Sequence, residues 1–530
     1  MNKDIFVLTL IAFFIYFITN EKKQIHMLQL NSYRNQRYFI WIRRNALKAI
    51  NYLDLLPLIG VAIMYSGRQT FGFMVIILIY GVLFFTKKKI KEKKKLVFTP
   101  RVKRLMFTLA LVYGAVIVAE LYYLPWQIDI NYIALICLSL VLINTFTLVI
   151  IFLANTINKP LEDTINLYYY KDAQKKIKKM PKLTVIGITG SYGKTSAKHV
   201  IYKILSKQFN VLTTPASYNT TMGVVKVIRT SLKPIHEIFI AEMGAKAIGD
   251  VQEICELVTP KYGVLTSIGP QHLETFKTIE NVKIGKFELI DSLPEDGVGF
   301  ENIDDLNIQT LPIPKCKVIC YGINNVKAQF KAENIKFNSR GSSFEVVKPD
   351  GTRANFQTKL LGGHNIYNIL SGVAIATELG MDLETISYAV RDLDAVDHRL
   401  KIKQMANGVT IIDDAYNSNP VGSRMALEVL AQMDGVKKIM ITPGMIELGE
   451  QEYELNKRLG EYAAAACDYV ILVGGKQTLP IQEGLREKEF PENKVFVALN
   501  IDEAFRHLDT ISIPGCVVLI ENDLTDDYNE

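Results

Sequence analysis

The chain has 530 residues, which is too long for one hydrophobic core and predicts about three to four folded units. The net charge is +7, but Lys and Arg cluster beside apolar segments, a pattern that fits anionic membrane lipids and argues against nucleic acid as a partner. The cysteines are scattered, and the one close pair, Cys316 and Cys320, has no second pair to complete a zinc site, so reduced thiols in a cytosolic domain are expected.

Hydrophobic residues make up 49% of the chain, and their excess lies in residues 1–155, which we predict to be a transmembrane region. Five apolar runs are candidate spanning helices, at residues 5–18, 53–65, 71–85, 105–124 and 130–153. The last two are long enough to cross a bilayer of about 30 Å, and the middle two are marginal. The first is short enough to be a signal-peptide core, but an anchor helix is preferred because further apolar runs follow it.

The basic residues predict how these helices are oriented. Residues 21–52 and 87–104 are rich in Lys and Arg, whereas the loops at 66–70 and 125–129 are nearly free of them. Since cytoplasmic loops carry the excess positive charge, five spans with the N-terminus outside would place both basic segments and the rest of the chain in the cytoplasm. A multi-pass protein of the cell membrane is therefore predicted. Residues 27–50 are expected to form either an interfacial helix or a solvated linker helix.

The two long apolar runs carry no ionisable residue in mid-span, and Glu120 lies near an end of one of them. Transport pathways usually need such groups, so an anchor, or a platform for a lipid-linked substrate, is favoured over a channel. A basic linker at residues 156–182 is expected to connect this region with the remainder of the chain.

A strand-to-helix turn follows the linker. Residues 182–188 are rich in β-formers, residues 197–208 are helix-like, and the loop between them supplies the candidate nucleotide-binding residues Gly190, Ser191, Gly193, Lys194, Thr195 and Ser196. Such a loop presents backbone N–H groups and a lysine to a nucleoside triphosphate, and a hydroxyl to Mg²⁺. Because Ile188 stands where the usual phosphate loop has its first glycine, the sequence fits the variant T-G-[ST]-x-G-K-[ST].

Strand-like and helix-like segments alternate from the phosphate loop to residue 292. This pattern predicts an α/β fold with a doubly wound, mostly parallel sheet that binds ligands at the carboxyl ends of its strands. A hairpin is predicted at Asp350-Gly351, and a smaller Rossmann-like α/β domain is expected to follow it. The predicted domain bounds are 183–396 for the phosphate-loop domain and 397–530 for the C-terminal domain.

Short motifs after the loop occur in a fixed order: Thr214-Pro215, Tyr218-Asn219-Thr220, Glu242-Met243-Gly244-Ala245, His272-Leu273-Glu274, Lys286 with Glu288, Gly363-His364-Asn365 with Asn368, His398-Arg399, Asp413 to Pro420, and Gly444 with Glu447 to Glu450. In this order they make residues 183–520 resemble the Mur ligase family of ATP-dependent enzymes that form amide bonds. The likeness is greatest to the MurF type, which adds D-alanyl-D-alanine to a muramyl tripeptide.

The resemblance implies that the ATP γ-phosphate activates a carboxylate as an acyl phosphate, which an amine then attacks. Lys194 would hold the β and γ phosphates, and Thr195, Glu242 and His272 would bind Mg²⁺. A lone histidine is also commonly a helix cap or a core residue. Lys286 stands where many Mur ligases carry a carbamylated lysine, and the alternative is a plain lysine paired with Glu288 or Glu242.

The resemblance also implies roles around the nucleotide and the substrate. Asn365 and Asn368 correspond to residues on the adenine side, Arg399 would hold phosphate, and Asp414 would hold ribose. The substrate residues implied by the family are Thr214, Asn219, Thr220, Tyr416, Asn417 and Asn419. For the loop that contains the last three, a structural turn is the alternative reading.

Two departures from the family bear on the substrate. Membrane-like helices replace the soluble domain that grips the uridine diphosphate end, so the acceptor is expected to be lipid-linked or to be recognised with another protein. The stretch Leu519 to Leu524 stands where the MurF type has Lys-Gly-Ser before a final helix. The sequence thus predicts a membrane-anchored ligase that joins a peptide or lipid-linked envelope precursor to an amino acid or dipeptide. Alternatives are a capsule-type poly-γ-glutamate ligase and a non-catalytic nucleotide-binding scaffold on the membrane.

Overall fold

The computed structural model describes residues 3–31, 33–44, 51–86, 96–123, 130–215, 218–338, 341–394, 400–415, 418–446 and 448–522. The chain folds into two compact units, Met1–Tyr168 and Tyr169–Glu530. The expected boundary between the two α/β domains, at residues 396 and 397, lies outside the described residues.

The first unit is helical throughout its described regular structure. Its helices are α1 Lys3–Leu30, α2 Asn35–Arg44, α3 Leu58–Tyr65, α4 Gln69–Thr86, α5 Pro100–Tyr123, α6 Ile130–Thr145 and α7 Thr147–Lys178. A 3₁₀ turn, Tyr52–Leu55, precedes α3. The single segment expected at residues 27–50 was wrong, since its first residues end α1 and α2 follows as a separate helix.

The expected linker at residues 156–182 is helical over most of its length. Helix α7 continues through it to Lys178 and tolerates Pro160 in its interior. The last turns of the helix bury Ala173 and Ile177 in a core of the second unit. Apolar contacts of this kind stabilise a helix more than its composition does, which is why a basic segment without glycine became helical.

Fewer helices than expected are long and apolar enough to cross a membrane. Within the described residues, three qualify, Asp4–Leu30, Gln69–Thr86 and Pro100–Glu120, and a fourth is obtained if α6 and α7, bent by 70° at their junction, count as one span. The run at Tyr52–Tyr65 forms only a short apolar helix. The prediction of five spans was therefore too high by this criterion.

Helices α3 and α4 pack closely through two glycines. A Cβ added to Gly60 would lie 2.7 Å from the carbonyl oxygen of Gly72, and one added to Gly72 would lie 2.6 Å from the carbonyl oxygen of Gly60. Gly60 faces Ile76, and Gly72 faces Met64, so the two helices run antiparallel as a hairpin.

A buried carboxylate lies inside the first unit, at a position that hydropathy did not reveal. Asp54, in the 3₁₀ turn, is 3% exposed. It accepts hydrogen bonds from the Tyr16 hydroxyl at 2.5 Å and from the Asn51 side chain at 2.8 Å. Because burial of an anion requires such donors, Asp54 ties α1 to the start of the hairpin.

The second unit begins with a nine-stranded sheet in the order β2-β3-β1-β4-β5-β6-β7-β8-β9. Its strands are β1 Thr184–Thr189, β2 Val211–Thr213, β3 Ile238–Glu242, β4 Tyr262–Leu265, β5 Val298–Asn302, β6 Lys317–Gly322, β7 Phe330–Asn338, β8 Gly341–Val347 and β9 Arg353–Thr358. The first seven pair in parallel, and β8 and β9 add antiparallel strands. The β8–β9 turn is the hairpin predicted at Asp350-Gly351.

Helices cover both faces of this sheet, as predicted for a doubly wound fold. They are α8 Lys194–Leu205, α9 Thr221–Ser231, α10 Asp250–Val258, α11 Leu273–Phe276, α12 Ile279–Asp291, α13 Gly363–Glu378 and α14 Leu383–Arg391. Helices α8, α13 and α14 pack in one core, and α9, α10 and α12 pack in another. Polar side chains at Thr220, Thr278 and Asp382 cap three of these helices.

A second sheet of six strands has the order β10-β11-β15-β12-β13-β14. Its strands are β10 Lys401–Gln404, β11 Thr410–Asp414, β12 Lys437–Thr442, β13 Tyr469–Val473, β14 Val495–Ala498 and β15 Cys516–Glu521. The associated helices are α15 Pro420–Gln432, α16 Glu452–Ala466, α17 Leu479–Glu487 and α18 Ile501–Ile511. Apart from β10 the pairings are parallel. The second, smaller α/β domain is thus confirmed.

Candidate nucleotide and metal site

The phosphate loop connects β1 to α8. Hydrogen bonds to Ser267, which follows β4, hold the loop in place. The Ser191 N–H donates to the Ser267 carbonyl at 2.7 Å, and the Tyr192 N–H donates to the Ser267 hydroxyl at 3.0 Å. Gly190 has φ 148°, and a Cβ there would lie 2.1 Å from the Thr266 hydroxyl oxygen. Only glycine therefore fits this turn.

The loop ends at the N-terminus of α8, where Gly193 adopts φ 80°. A helix N-terminus that begins in such a loop is an anion-binding arrangement. The Lys194 ammonium folds over the loop and donates to the carbonyls of Gly190 at 2.6 Å and Ser191 at 3.0 Å. Ser191 and Ser196 are buried in the loop and in the first turn of the helix. The predicted nucleotide residues of the loop itself thus lie together in one cradle.

Glu242 ends β3 beside this cradle and is 1% exposed. The Thr195 hydroxyl lies 3.2 and 3.1 Å from its two carboxylate oxygens. The Asn219 amide donates to Oε1 at 3.1 Å, and the Lys198 ammonium lies 2.9 Å from Oε2. This neighbourhood follows from sheet register, because Glu242 pairs with Ile188 at the end of β1.

Thr214, a predicted substrate residue, supports Glu242 from the protein interior. It is fully buried, and its hydroxyl accepts a hydrogen bond from the Glu242 N–H at 3.2 Å. Asn219 likewise contacts the carboxylate, whereas Thr220 caps α9 by accepting the Gly223 N–H. In the structure these residues contact the protein, and their substrate roles stay predictions.

The donors fit a hard cation such as Mg²⁺. A carboxylate and a hydroxyl oxygen meet at 3.1 to 3.2 Å, and both are ligand types that Mg²⁺ prefers. Among the described residues, no three His, Cys, Asp or Glu side chains form a metal cluster. His272 is half-buried and precedes α11 in a left-handed conformation, φ 56°. Its role as a metal ligand stays a prediction.

Lys286, on α12, is 1% exposed. Burial, and next the charge of Lys194, hold the pKa of Lys286 well below the usual range of a lysine. Its ammonium nitrogen lies 3.5 Å from the Ala245 carbonyl oxygen and 5.9 Å from the centre of the Phe276 ring. In the part of the chain that the structure describes, it forms no salt bridge.

The expected carboxylate partners of Lys286 are engaged elsewhere, so the predicted pairing of Lys286 with Glu288 or Glu242 is not observed. Glu242 pairs with Lys198. Glu288 accepts the N–H groups of Gly249 at 2.5 Å, Val251 at 3.1 Å and Gln252 at 3.0 Å, and so caps α10. Carboxylates at helix N-termini are stabilised by this arrangement.

Asn365 and Asn368 lie in the first turns of α13 and are buried. The Asn365 amide donates to the Leu361 carbonyl at 2.8 Å. A Cβ added to Gly193 would lie 3.3 Å from the Asn368 side-chain oxygen. Asn368 is therefore beside the phosphate loop, and its predicted contact with the nucleotide is sterically reasonable.

The C-terminal domain contributes some of the residues that were predicted to bind the nucleotide or the substrate. Asp414 ends β11, and its carboxylate accepts the Leu400 N–H at 3.1 Å. Asn419 caps α15 by accepting the Gly422 N–H at 2.8 Å, which fits the alternative of a structural turn. Arg399, Tyr416 and Asn417 lie outside the described residues, and their roles stay predictions.

Lys198 is a site residue that was not predicted from the sequence. Its ammonium bonds Glu242 and donates to the Thr214 carbonyl at 2.7 Å. The available signal was its position four residues after Lys194, which places both on one helical face. A lysine on a helix is so common that this spacing alone would not have identified it.

Comparison with known proteins finds two matching domains in this chain. The Mur ligase middle domain matches residues 188–376, and the Mur ligase, glutamate ligase domain, matches residues 398–521. The UDP-N-acetylmuramoyl-tripeptide D-alanyl-D-alanine ligase of Escherichia coli (strain K12) is 31% identical over 336 residues, which are 62% of this chain and 74% of that enzyme. The enzyme of the same name from Bacillus subtilis (strain 168) is 28% identical over 312 residues, covering 59% of this chain and 66% of that enzyme.

A solved structure is similar to this chain as well. The MurF ligase of Thermotoga maritima in complex with ADP superposes with a TM-score of 0.61 at 25% identity, covering 68% of this chain and 80% of that one. Residues 1–187 lie outside both matched domains. The two domain matches and the similarity to the Escherichia coli enzyme establish that this chain belongs to the Mur ligase family, the ATP-dependent ligases that form amide bonds.

Proposed function

We propose that this Mur ligase is anchored in the cell membrane and uses ATP and Mg²⁺ to join a carboxylate of an envelope peptide precursor to the amine of an amino acid or dipeptide. The observation that carries the chemistry is the meeting of Thr195 and Glu242 beside the phosphate loop. The similarity to ligases that add D-alanyl-D-alanine makes that dipeptide the first amine to test.

The reaction has two balanced steps. A carboxylate oxygen of the acceptor attacks the γ-phosphorus of ATP, and the bond between this phosphorus and the bridging oxygen breaks. The products of this step are an acyl phosphate and ADP. The amine nitrogen then attacks the acyl carbon, inorganic phosphate departs, and one proton is released. Mg²⁺, when bound, neutralises charge on the phosphates.

The residues of the chain have separate tasks in these steps. The α8 N-terminus and the loop N–H groups would hold the phosphates, and Lys194 would turn from the loop carbonyls to the γ-phosphate. Thr195 and Glu242 would hold the metal. Asn368 would contact the nucleotide from the start of α13.

Lys286 is proposed to react with CO₂ to form a carbamate. A neutral amine is the form that attacks CO₂, and the burial of Lys286 favours that form. The amine nitrogen would bond to the carbon of CO₂ and lose one proton, which converts the neutral amine into an anionic carbamate. Activity of freshly purified protein should rise with bicarbonate, and an intact-mass spectrum should show the added CO₂. A bicarbonate-independent enzyme without this mass would contradict the carbamate.

The membrane orientation is proposed from the α3–α4 hairpin. If α1 crosses inward, the antiparallel hairpin returns the chain to the cytoplasmic side, and α5 and the α6–α7 pair then cross out and back. This path leaves the basic residues 87–104 and the second unit in the cytoplasm, where the ligase meets ATP. In this path the hairpin enters and leaves the membrane on the cytoplasmic side, so the short Tyr52–Tyr65 run must carry the chain into the membrane before Gln69–Thr86 returns it.

Reporter fusions test this path. A reporter fused after Thr99 should report the cytoplasm, and so should one fused to the C-terminus. Opposite locations for these two fusions would contradict the proposed path.

The acceptor is proposed to be lipid-linked or delivered at the membrane. The support is the absence of residues 1–187 from the matched domains together with the apolar helices described there. A substrate held at the bilayer would reach a cytoplasmic ligase without a soluble domain that grips its far end.

The central test is phosphate release by the full-length protein in detergent. Release should require ATP, Mg²⁺, an acceptor carboxylate and an amine together, and Lys194→Ala should abolish it. Lys207→Ala, at the exposed end of the same helix region, is the matched control and should stay active. Phosphate release that ignores the acceptor, or an active Lys194→Ala variant, would contradict the proposal.

A further inference from the structure

Lys198 lies beside Glu242 in the site but belongs to none of the motifs that predicted the site from the sequence. It stands on α8, three residues after Thr195, so the two side chains share a face of the helix. Lys198 is 4% exposed, and its ammonium nitrogen lies 2.9 Å from Glu242 Oε2 and 2.7 Å from the Thr214 carbonyl oxygen.

Glu242 depends on this lysine for its countercharge. Its other side-chain partners, Thr195 and Asn219, are neutral donors. Within the described chain, Lys198 is the one cationic side chain that pairs with it. A carboxylate buried to this degree is strongly disfavoured when it lacks a cation. Lys198 therefore supplies the positive charge beside the Glu242 carboxylate while no metal is present.

The same carboxylate is the group that a divalent cation would use. The Thr195 hydroxyl points at Glu242, so any metal held by this pair competes with the Lys198 ammonium for the charge of Glu242. Lys198 has a second partner, the Thr214 carbonyl, which would still hold the ammonium when Glu242 binds metal. The buried Glu242 carboxylate can therefore either pair with Lys198 or bind a metal ion.

We propose that Lys198 is a positioning residue that acts as a built-in substitute for the metal. It holds the Glu242 carboxylate directed at Thr195 before the metal arrives, and it weakens metal binding so that the metal can leave with the spent nucleotide. This inference rests on the proposed function of Glu242 as a metal ligand. The proposed role of Lys198 concerns the protein before it binds metal, and a measurement of activity alone does not detect that form.

The test compares Lys198→Met, Lys198→Arg and the unaltered full-length protein in detergent. Thermal unfolding is recorded in a chelator and in saturating Mg²⁺, and Mn²⁺ affinity is measured by titration. Lys198→Met should unfold earlier in the chelator and recover in Mg²⁺, because the metal replaces the missing charge. Its Mn²⁺ dissociation constant should fall about tenfold. Lys198→Arg should behave as the unaltered protein.

Two further variants make the result decisive. Lys203→Met, on the same helix and half-buried, is the matched control and should show neither change. The double variant Lys198→Met with Glu242→Gln removes both charges and should be stable in the chelator. If Lys198→Met folds in neither medium while the double variant folds, Mg²⁺ cannot replace Lys198, and the proposal is wrong.

Failure of the inference differs from failure of the proposed function. If Glu242→Gln binds Mn²⁺ as tightly as the unaltered protein, Glu242 is no metal ligand, and the proposed site itself fails. If Glu242→Gln loses Mn²⁺ binding while Lys198→Met shows unchanged or weaker affinity, the metal site stands and Lys198 is only a structural partner.

Discussion

The carboxyl groups of Asp414 and Glu521 occupy paired positions at the ends of two neighbouring parallel strands, β11 and β15. Glu521 is fully buried. Its Oε1 accepts the Ser418 hydroxyl at 2.5 Å, and its Oε2 has no hydrogen-bond donor among the described residues. Burial, and next the charge of Asp414, hold the pKa of Glu521 well above its usual range.

The proximity of these two carboxyl groups predicts that the folded protein becomes less stable as the pH rises. The folded protein keeps a proton on Glu521 at pH values where the unfolded chain has lost it, so stability falls as the pH rises above the ordinary pKa of 4.5. Glu521→Gln removes this dependence. The variant should be more stable than the unaltered protein at pH 8, by about 1–3 kcal/mol, and similar at pH 4.5. Thermal unfolding at the two pH values measures the difference.

Glu483→Gln is the control for that experiment because its pKa shift has the opposite sign. Glu483 is half-buried, and its hydrogen bonds to Lys457 and next to Tyr453 lower its pKa. Its removal should leave the protein no more stable at pH 8. Equal effects of the two substitutions would contradict the assigned role of Glu521.

Glu301 should titrate closer to neutrality. It lies in β5, is 8% exposed, and burial raises its pKa from 4.5 to about 7. Because the shift is upward, stability is lost as the pH rises from 4.5 to about 7, and the loss is at most about 3 kcal/mol. Glu301→Gln should therefore raise the unfolding temperature at pH 8 and leave it unchanged at pH 4.5. A gain of the same size at both pH values would indicate a packing effect instead.

The α3–α4 hairpin should tolerate substitution at one glycine and not at another. Gly72→Ala places a Cβ 2.6 Å from the Gly60 carbonyl oxygen, so the helices must separate. We expect a loss of about 1–3 kcal/mol, measured as a lower unfolding temperature in detergent. Gly81→Ala, on the same helix and facing open space, should be neutral or stabilising, since alanine favours helices. A harmless Gly72→Ala would contradict the close packing.

Local sequence patterns predicted the elements that carry the nucleotide site. The phosphate loop, the helix that begins at Lys194 and the Asp350-Gly351 turn depend on neighbouring residues, and short-range preferences suffice for them. The pairing of Lys198 with Glu242 depends instead on the register of β1 and β3. The position of β15 between β11 and β12 likewise depends on contacts distant in sequence, so Glu521 could not be placed beside Asp414.

The hydroxyl of Thr195 should be required for normal turnover and for normal use of Mg²⁺. It is one of two oxygen groups that would hold the metal, and it lies 3.1 Å from Glu242 Oε2. Thr195→Val keeps the shape of the side chain and removes the oxygen, so turnover should fall about 10²-fold and more Mg²⁺ should be needed for half-maximal activity. Thr195→Ser keeps the hydroxyl and should retain most of the activity.

A threonine outside the site provides the matched control. Thr213, in β2, has a buried hydroxyl without a hydrogen-bond partner in the described chain. Thr213→Val removes an oxygen in the same way, and because that oxygen makes no hydrogen bond, both turnover and the Mg²⁺ requirement should be unchanged. The decisive measurement is phosphate release as a function of Mg²⁺ concentration for all three variants. An unchanged Mg²⁺ requirement in Thr195→Val would mean that its hydroxyl does not bind the metal, and Glu242 would then have to hold it with other ligands.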